Sequence, residues 1–119
     1  MTARVGFVGL GGMGRGVVKN MALKGIDVVA YDLEEDRIEE AVTYGASAGA
    51  SPVEMAGSCD VFGICITTAE AVQELALGED GVLSEMKEGS VFLDHTTVST
   101  AHVDTMRAAC AARNSRSAR

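Results

Sequence analysis

Six residues, Gly9-Leu10-Gly11-Gly12-Met13-Gly14, and one later acid, Asp32, have types and spacing that point to chemistry. The apolar run Val5 to Val8 enters Gly9-x-Gly11-x-x-Gly14, and a helical pattern leaves it. A strand, a glycine turn and a helix start in that order hold a dinucleotide pyrophosphate against backbone N–H groups. Gly9 permits the turn, Gly11 keeps a side chain out of the pyrophosphate's approach, and Gly14 lets the helix pack on the strand. Leu10, Gly12 and Met13 complete the loop. Asp32 follows Gly9 by 23 residues, the distance at which an acid meets the adenosine ribose; the plainer reading is an aspartate exposed in a turn.

Asp32 also bears on which nicotinamide cofactor is taken. A carboxylate about 4 Å from a 2′-phosphate costs about 4 kcal/mol at an effective dielectric near 20. Arg37 lies a helical turn later and no arginine directly follows Asp32, so NAD is expected over NADP.

The elements that must position these groups follow from periodicity. A first helix runs from Gly14 to Gly25 with Met13, Val17, Val18 and Met21 inward. Val28 to Tyr31 is a buried strand ending at Asp32, and Glu34, Glu35 and Asp36 open a second helix with Ile38, Ala41 and Val42 inward. Residues 46–50 make a poor strand. Ser51-Pro52-Val53-Glu54 is a capping box opening a short helix. Val61 to Ile66 is the fourth strand, and Thr67-x-x-Glu70 a second capping box. Val82, Leu83 and Met86 pack a short helical piece, Val91 to Leu93 is a fifth strand, and Ser99 caps a last helix with Val103, Met106 and Cys110 inward. Alternating strands and helices predict an α/β fold, a doubly wound parallel sheet of about five strands. Its loops beyond the strand ends are Gly9–Gly14, Asp32–Leu33, Ile66–Ala71 and Asp94–Val98.

Composition narrows the function classes. The chain has 119 residues, 47% of them hydrophobic and 23% charged, which describes one globular domain. A formal charge of −7 argues against nucleic acid or an anionic membrane as partner. Cys59, Cys65 and Cys110 form neither a disulfide framework nor a zinc pattern, and no metal site is expected. Reduced thiols, and no signal peptide or spanning segment, predict a cytoplasmic protein. His95 beside Asp94 invites a general-base reading, but adjacent side chains on extended backbone point apart, so a loop histidine near the cofactor is the plainer alternative. Cys65, inside an apolar strand, reads as core rather than nucleophile.

Gly6-Phe7-Val8-Gly9-Leu10-Gly11-x-Met13-Gly14 resembles the signature of the β-hydroxyacid dehydrogenases, a family that includes 3-hydroxyisobutyrate dehydrogenase, tartronate semialdehyde reductase and 6-phosphogluconate dehydrogenase. The likeness continues through Leu77-Gly78-Glu79-Asp80-Gly81-Val82, Lys87-x-Gly89-Ser90 and Leu93-Asp94-x-Thr96-Thr97. It implies a Rossmann-type NAD(P)-binding domain over 1–114, with 115–119 as a tail unlike the family. It also implies that Ile66, Thr67, Ala71 and Thr97 touch the cofactor; Thr67 replaces the family's usual proline. Thr96 stands where many members have serine and would meet substrate, while His95 falls at a variable position. The implied reaction moves hydride between NAD(P) and a small 3-hydroxy acid or semialdehyde. The family's catalytic lysine and helical second domain would lie beyond Arg119, so no catalytic residue is assigned and the chain is expected to be truncated and inactive alone. A frameshift or early stop is the expected cause, since Ser115-Arg116-Ser117-Ala118-Arg119 carries no apolar run for a sixth strand. Val91 to Leu93 would then be an exposed edge open to self-association. Two alternatives stand beside the dehydrogenase reading: a catalytically silent NAD-binding module, and a gene remnant without activity.

Overall fold

The computed structural model describes residues 3–66, 69–77, 81–94, 100–112 and 116–118. Twelve elements alternate along them: β1 (Arg4–Val8), α1 (Gly12–Leu23), β2 (Asp27–Tyr31), α2 (Glu35–Thr43), β3 (Ser47–Ala48), α3 (Pro52–Ala56), β4 (Val61–Ile64), α4 (Ala69–Leu77), α5 (Val82–Glu85), β5 (Val91–Asp94), α6 (Thr100–Ala112) and β6 (Arg116–Ala118).

The strands form one sheet in the order β3-β2-β1-β4-β5-β6, each neighbouring pair parallel. From β1 the chain winds outward to β3, then crosses back to β4 and winds the other way. The reversal falls between β1 and β4, where Val8 sits level with Tyr31 on one side and Ile64 on the other. In such sheets the crevice beyond the carboxyl ends at the reversal is where ligands sit.

Successive strand residues face opposite sides of the sheet, and two cores follow. Phe7, Val28 and Ala30 pack with Val18 of α1 and Ala41 of α2 on one face. Val8, Val29, Phe62, Ile64 and Phe92 pack with Met55, Val72, Val82, Met106 and Cys110 on the other. The Phe62 and Phe92 rings stack with centroids 6.3 Å apart. Gly63 lies flat beneath Phe7, whose ring a Cβ there would approach to 2.8 Å. Ser51 caps α3 as its spacing predicts, its Oγ accepting the Glu54 N–H at 3.2 Å.

Four expectations need correction. First, a sixth strand exists: Arg116–Ala118 pairs with Val91–Leu93. A ladder is made by backbone groups, so an edge strand needs no apolar run to form. Second, β5 therefore has strands on both sides, and the apolar edge expected there is covered. The sheet's edges are β3 and β6, two and three residues long, short enough to be poor templates for further pairing. Third, Met13 is 64% exposed, because α1 begins beyond the end of the sheet and its first turn overhangs the core. Fourth, Val42 is 46% exposed and Ala41 takes the inward place on α2. The cap positions Thr67 and Ser99 lie outside the described residues.

Candidate functional site

At the carboxyl end of β1 the chain makes a turn that glycine alone accommodates. Gly9 has φ near +101°, and a Cβ on it would run into the Cys65 carbonyl oxygen. Its N–H donates to the Tyr31 carbonyl at 3.0 Å, while the Cys65 N–H donates to the Val8 carbonyl at 2.9 Å. The turn is thus pinned to the strands on both sides. Leu10 is buried beneath it. Gly14 faces back toward the strand, where a Cβ would strike the Gly9 carbonyl oxygen.

Gly11 and Gly12 are different, with nothing within 4 Å of where a Cβ would be. They border the entrance of α1, whose N-terminal residue Gly11 offers no side-chain cap and whose first turn holds no acid. The first amides of a helix have no intrahelical partner, and here no side chain is supplied for them. Gly11, Gly12 and Met13 line the open crevice, and a helix start of this kind suits an anion.

Asp32 closes one end of this crevice. Its carboxylate, 9% exposed, accepts the Leu10 N–H on Oδ2 at 2.7 Å and the Glu34 N–H on Oδ1 at 2.8 Å. The Arg37 guanidinium lies 3.7 Å from Oδ1 and is half exposed.

The crevice is a cleft of about 840 Å³, within the range of cofactor sites. Of the residues expected at the site, Gly9, Gly11, Gly12, Met13, Asp32, Ile66 and Ala71 line it. Leu10 and Gly14 stand behind its wall rather than on it. Thr67, Thr96, Thr97 and His95 lie outside the described residues. Leu33, in a loop expected at the site, is 92% exposed and lines the cleft, with Arg37 one helical turn further on. The cleft also has walls that the sequence reading missed. Glu74 and Leu75 follow Ala71 by three and four residues, so the face that carries Ala71 carries them too. That spacing was available in the sequence. The end of β4 is a further correction: the strand stops at Ile64, so Cys65 lies just past it, half-buried, packed against the Phe7 and Leu10 core as expected and also reaching the cleft wall.

Among the described residues no group of three or more His, Cys, Asp or Glu side chains is placed to hold a metal ion. No helix among them is long and apolar enough to cross a membrane. The donor set suits a dinucleotide instead: an uncapped helix start for a pyrophosphate, a carboxylate for a ribose, and apolar surface from Leu33, Ile66 and Leu75 for rings.

Comparison with known proteins agrees with this geometry. The family model described as the NAD binding domain of 6-phosphogluconate dehydrogenase matches residues 4–118. The cytokine-like nuclear factor N-PAC of Homo sapiens is 33% identical over 95 residues, covering 80% of this chain and 17% of that protein. The 2-(hydroxymethyl)glutarate dehydrogenase of Eubacterium barkeri is 34% identical over 96 residues, covering 81% of this chain and 32% of that one. Among solved structures, 3-hydroxyisobutyrate dehydrogenase from Salmonella typhimurium superposes with a TM-score of 0.90 at 33% identity, over 97% of this chain and 40% of that one. The fold itself serves both cofactors: Myxococcus stipitatus imine reductases solved with NAD+ and with NADP+ share it at 17% and 15% identity, with TM-scores of 0.90 and 0.88. This chain spans well under half of each of the named relatives and of the Salmonella dehydrogenase. With the glycine turn, the reversal of strand order and the family match in agreement, the chain belongs to the family of the NAD binding domain of 6-phosphogluconate dehydrogenase, the dinucleotide-binding part of the β-hydroxyacid dehydrogenases.

Proposed function

We propose that the cleft binds NAD, and that this chain is the cofactor-holding part of an oxidoreductase acting on a small 3-hydroxy acid or semialdehyde. The observation that carries the reading is the junction of an uncapped α1 N-terminus with the buried Asp32 carboxylate across one open cleft. Gly11, Gly12 and Met13 would present their N–H groups to the pyrophosphate, and Gly9 and Gly14 would hold that loop in shape. Asp32 would accept the adenosine ribose hydroxyls through the lone pairs left free by Leu10 and Glu34, with Leu10 as the buried anchor beneath. Ile66 and Ala71 would pack the far wall, joined by Thr67 and Thr97, and Thr96 would meet substrate. NAD, when bound, supplies the hydride acceptor.

Preference for NAD over NADP rests on charge. A 2′-phosphate at the ribose would face Asp32 with Glu34 nearby, and Arg37 is half exposed and already paired to Asp32. Solvent screening limits what that arginine offsets. Titration calorimetry with NADH and NADPH tests this, the expected preference for NADH being about a hundredfold or more. Equal or tighter NADPH binding would refute the NAD assignment, and heat from neither would refute the binding reading.

The 119-residue chain by itself is proposed to bind without turnover. The described cleft wall offers carboxylates, a thiol, the Tyr31 phenol and an arginine, but no lysine, the group that serves the resembled family as proton donor to the alkoxide. Incubation with NAD and a panel of small 3-hydroxy acids should yield no NADH; steady NADH formation would overturn this. A dinucleotide-binding module without turnover is the second reading, supported by the likeness to a relative named as a nuclear factor. We place the protein in the cytoplasm, a reading supported by Cys59, Cys65 and Cys110 not being joined in disulfides.

A further inference from the structure

The last residue of β2 and the one after it take two successive N–H groups of the glycine loop. The Tyr31 carbonyl accepts from Gly9 at 3.0 Å, and Asp32 Oδ2 accepts from Leu10 at 2.7 Å. Leu10 is 1% exposed, so its N–H sits where water does not readily replace a lost acceptor. The carboxylate is itself oriented from the other side, where Oδ1 accepts the Glu34 N–H at 2.8 Å as α2 begins. Asp32 thereby ties together Leu10, 22 residues before it, and Glu34, two residues after it.

We infer that Asp32 is a positioning residue for the glycine loop: before any ribose arrives, its carboxylate holds Leu10, and through it the start of α1, in the geometry that receives a pyrophosphate. The inference rests on the dinucleotide reading above and adds a role that ribose binding does not contain. The two roles are compatible, because a carboxylate has about four lone-pair directions and the two N–H donors take one on each oxygen. They also separate experimentally. Loss of a ribose contact affects only ligands bearing the adenosine ribose hydroxyls. Loss of the brace affects the empty protein and every ligand that carries a pyrophosphate.

The discriminating variant is Asp32→Asn, since an amide has one oxygen and must turn its NH2 toward either Leu10 or Glu34. In the free full chain, amide hydrogen exchange at Leu10 or Glu34 should quicken about tenfold or more, while Phe7 and Phe62 in the central strands keep their rates. The same variant should bind the NADH analogue with a 2′,3′-dideoxyadenosine half about tenfold more weakly than the parent does, although that analogue lacks both hydroxyls. A folded Asp32→Asn chain with unchanged exchange at both amides, or with parental affinity for the dideoxy analogue, would overturn the inference. Should that variant not fold, the parent decides: a Leu10 amide as protected as Gly9 supports the brace, and one exchanging like an open loop refutes it. Exchange is read on the empty protein, so a parent that takes up no dinucleotide would sink the functional reading and leave this test standing.

Discussion

Strand β1 is held at both ends by an aspartate, and the two ends do different things. At the amino end, Asp60 Oδ2 accepts the Arg4 N–H at 2.9 Å; at the carboxyl end, Asp32 Oδ2 accepts the Leu10 N–H at 2.7 Å. The device is the same: a carboxylate from the neighbouring chain segment finishes the ladder where strand pairing stops. What differs is the company each carboxylate keeps. Lys87 Nζ fills the other oxygen of Asp60 at 2.8 Å, lacing together the starts of β1, β4 and β5, and leaving a hollow of about 210 Å³. Asp32 is deeper, its second oxygen is taken by a backbone N–H, and its nearest cation stands off at 3.7 Å. The space beside it is about four times larger and is walled by glycines. The cleft end differs in that its cation, Arg37, stands off at the edge and the helix beyond the strand starts uncapped. Charge on the carboxylate is common to both ends and decides nothing.

The comparison predicts that changes at the cleft end separate stability from affinity, whereas changes at the amino end touch stability alone. The largest effect is expected from Gly9→Ala, which combines a positive φ with a collision against the Cys65 carbonyl. It should lower stability by about 3 kcal/mol or more in urea unfolding, and a smaller loss would show that the turn relaxes easily. Gly11→Ala comes next and should behave oppositely, because open space surrounds it. Stability should stay within about 1 kcal/mol of the parent while NADH affinity falls about tenfold or more. Unchanged affinity would show that no ligand backbone passes over Gly11. At the amino end, Gly89 also has positive φ but open surroundings, so Gly89→Ala should cost about 1 kcal/mol and leave NADH binding unaltered.

The smallest effect is a pH dependence. Hydrogen bonding from the Arg4 N–H, then from Lys87, holds the Asp60 carboxyl below its ordinary value of 3.8. The folded chain therefore binds fewer protons there than the unfolded chain does, and stability from this group is present above that value and lost as pH falls through the folded one. Asp60→Asn should flatten the acid limb of the stability curve below about pH 3.8 and leave NADH affinity at neutral pH unchanged. An acid limb identical to the parent's would mean that the Arg4 contact carries no stability.

Much of the fold was legible because its signals are local. The Ser51–Glu54 cap spans three residues, and the helix over Gly12–Leu23 announces itself through periodicity and the stop at Gly25. The glycine loop and Asp32 were equally readable, since their spacing within one β-α-β unit is set by the lengths of a helix and two strands. Met13 was misplaced because periodicity says which face a helix buries but not where the sheet beneath it ends. The end of β4 was misplaced for the matching reason, as an apolar run does not mark the residue at which a strand stops pairing. Strand β6 escaped notice because backbone pairing leaves no mark in side-chain polarity.

By itself, then, the sequence determined the order of elements from β1 to α6, the turn at Gly9 and the presence of a carboxylate near a helix start. Those depend on contacts a few residues long and on residue types with one physical use. Tertiary structure alone decided that Asp32 faces Leu10 and Glu34 together, that Arg37, Leu33 and Glu74 share a cleft, and that Lys87 closes Asp60 while nothing comparable closes Asp32. Those juxtapositions follow from the strand order reversing between β1 and β4, a long-range packing choice that no local spacing encodes.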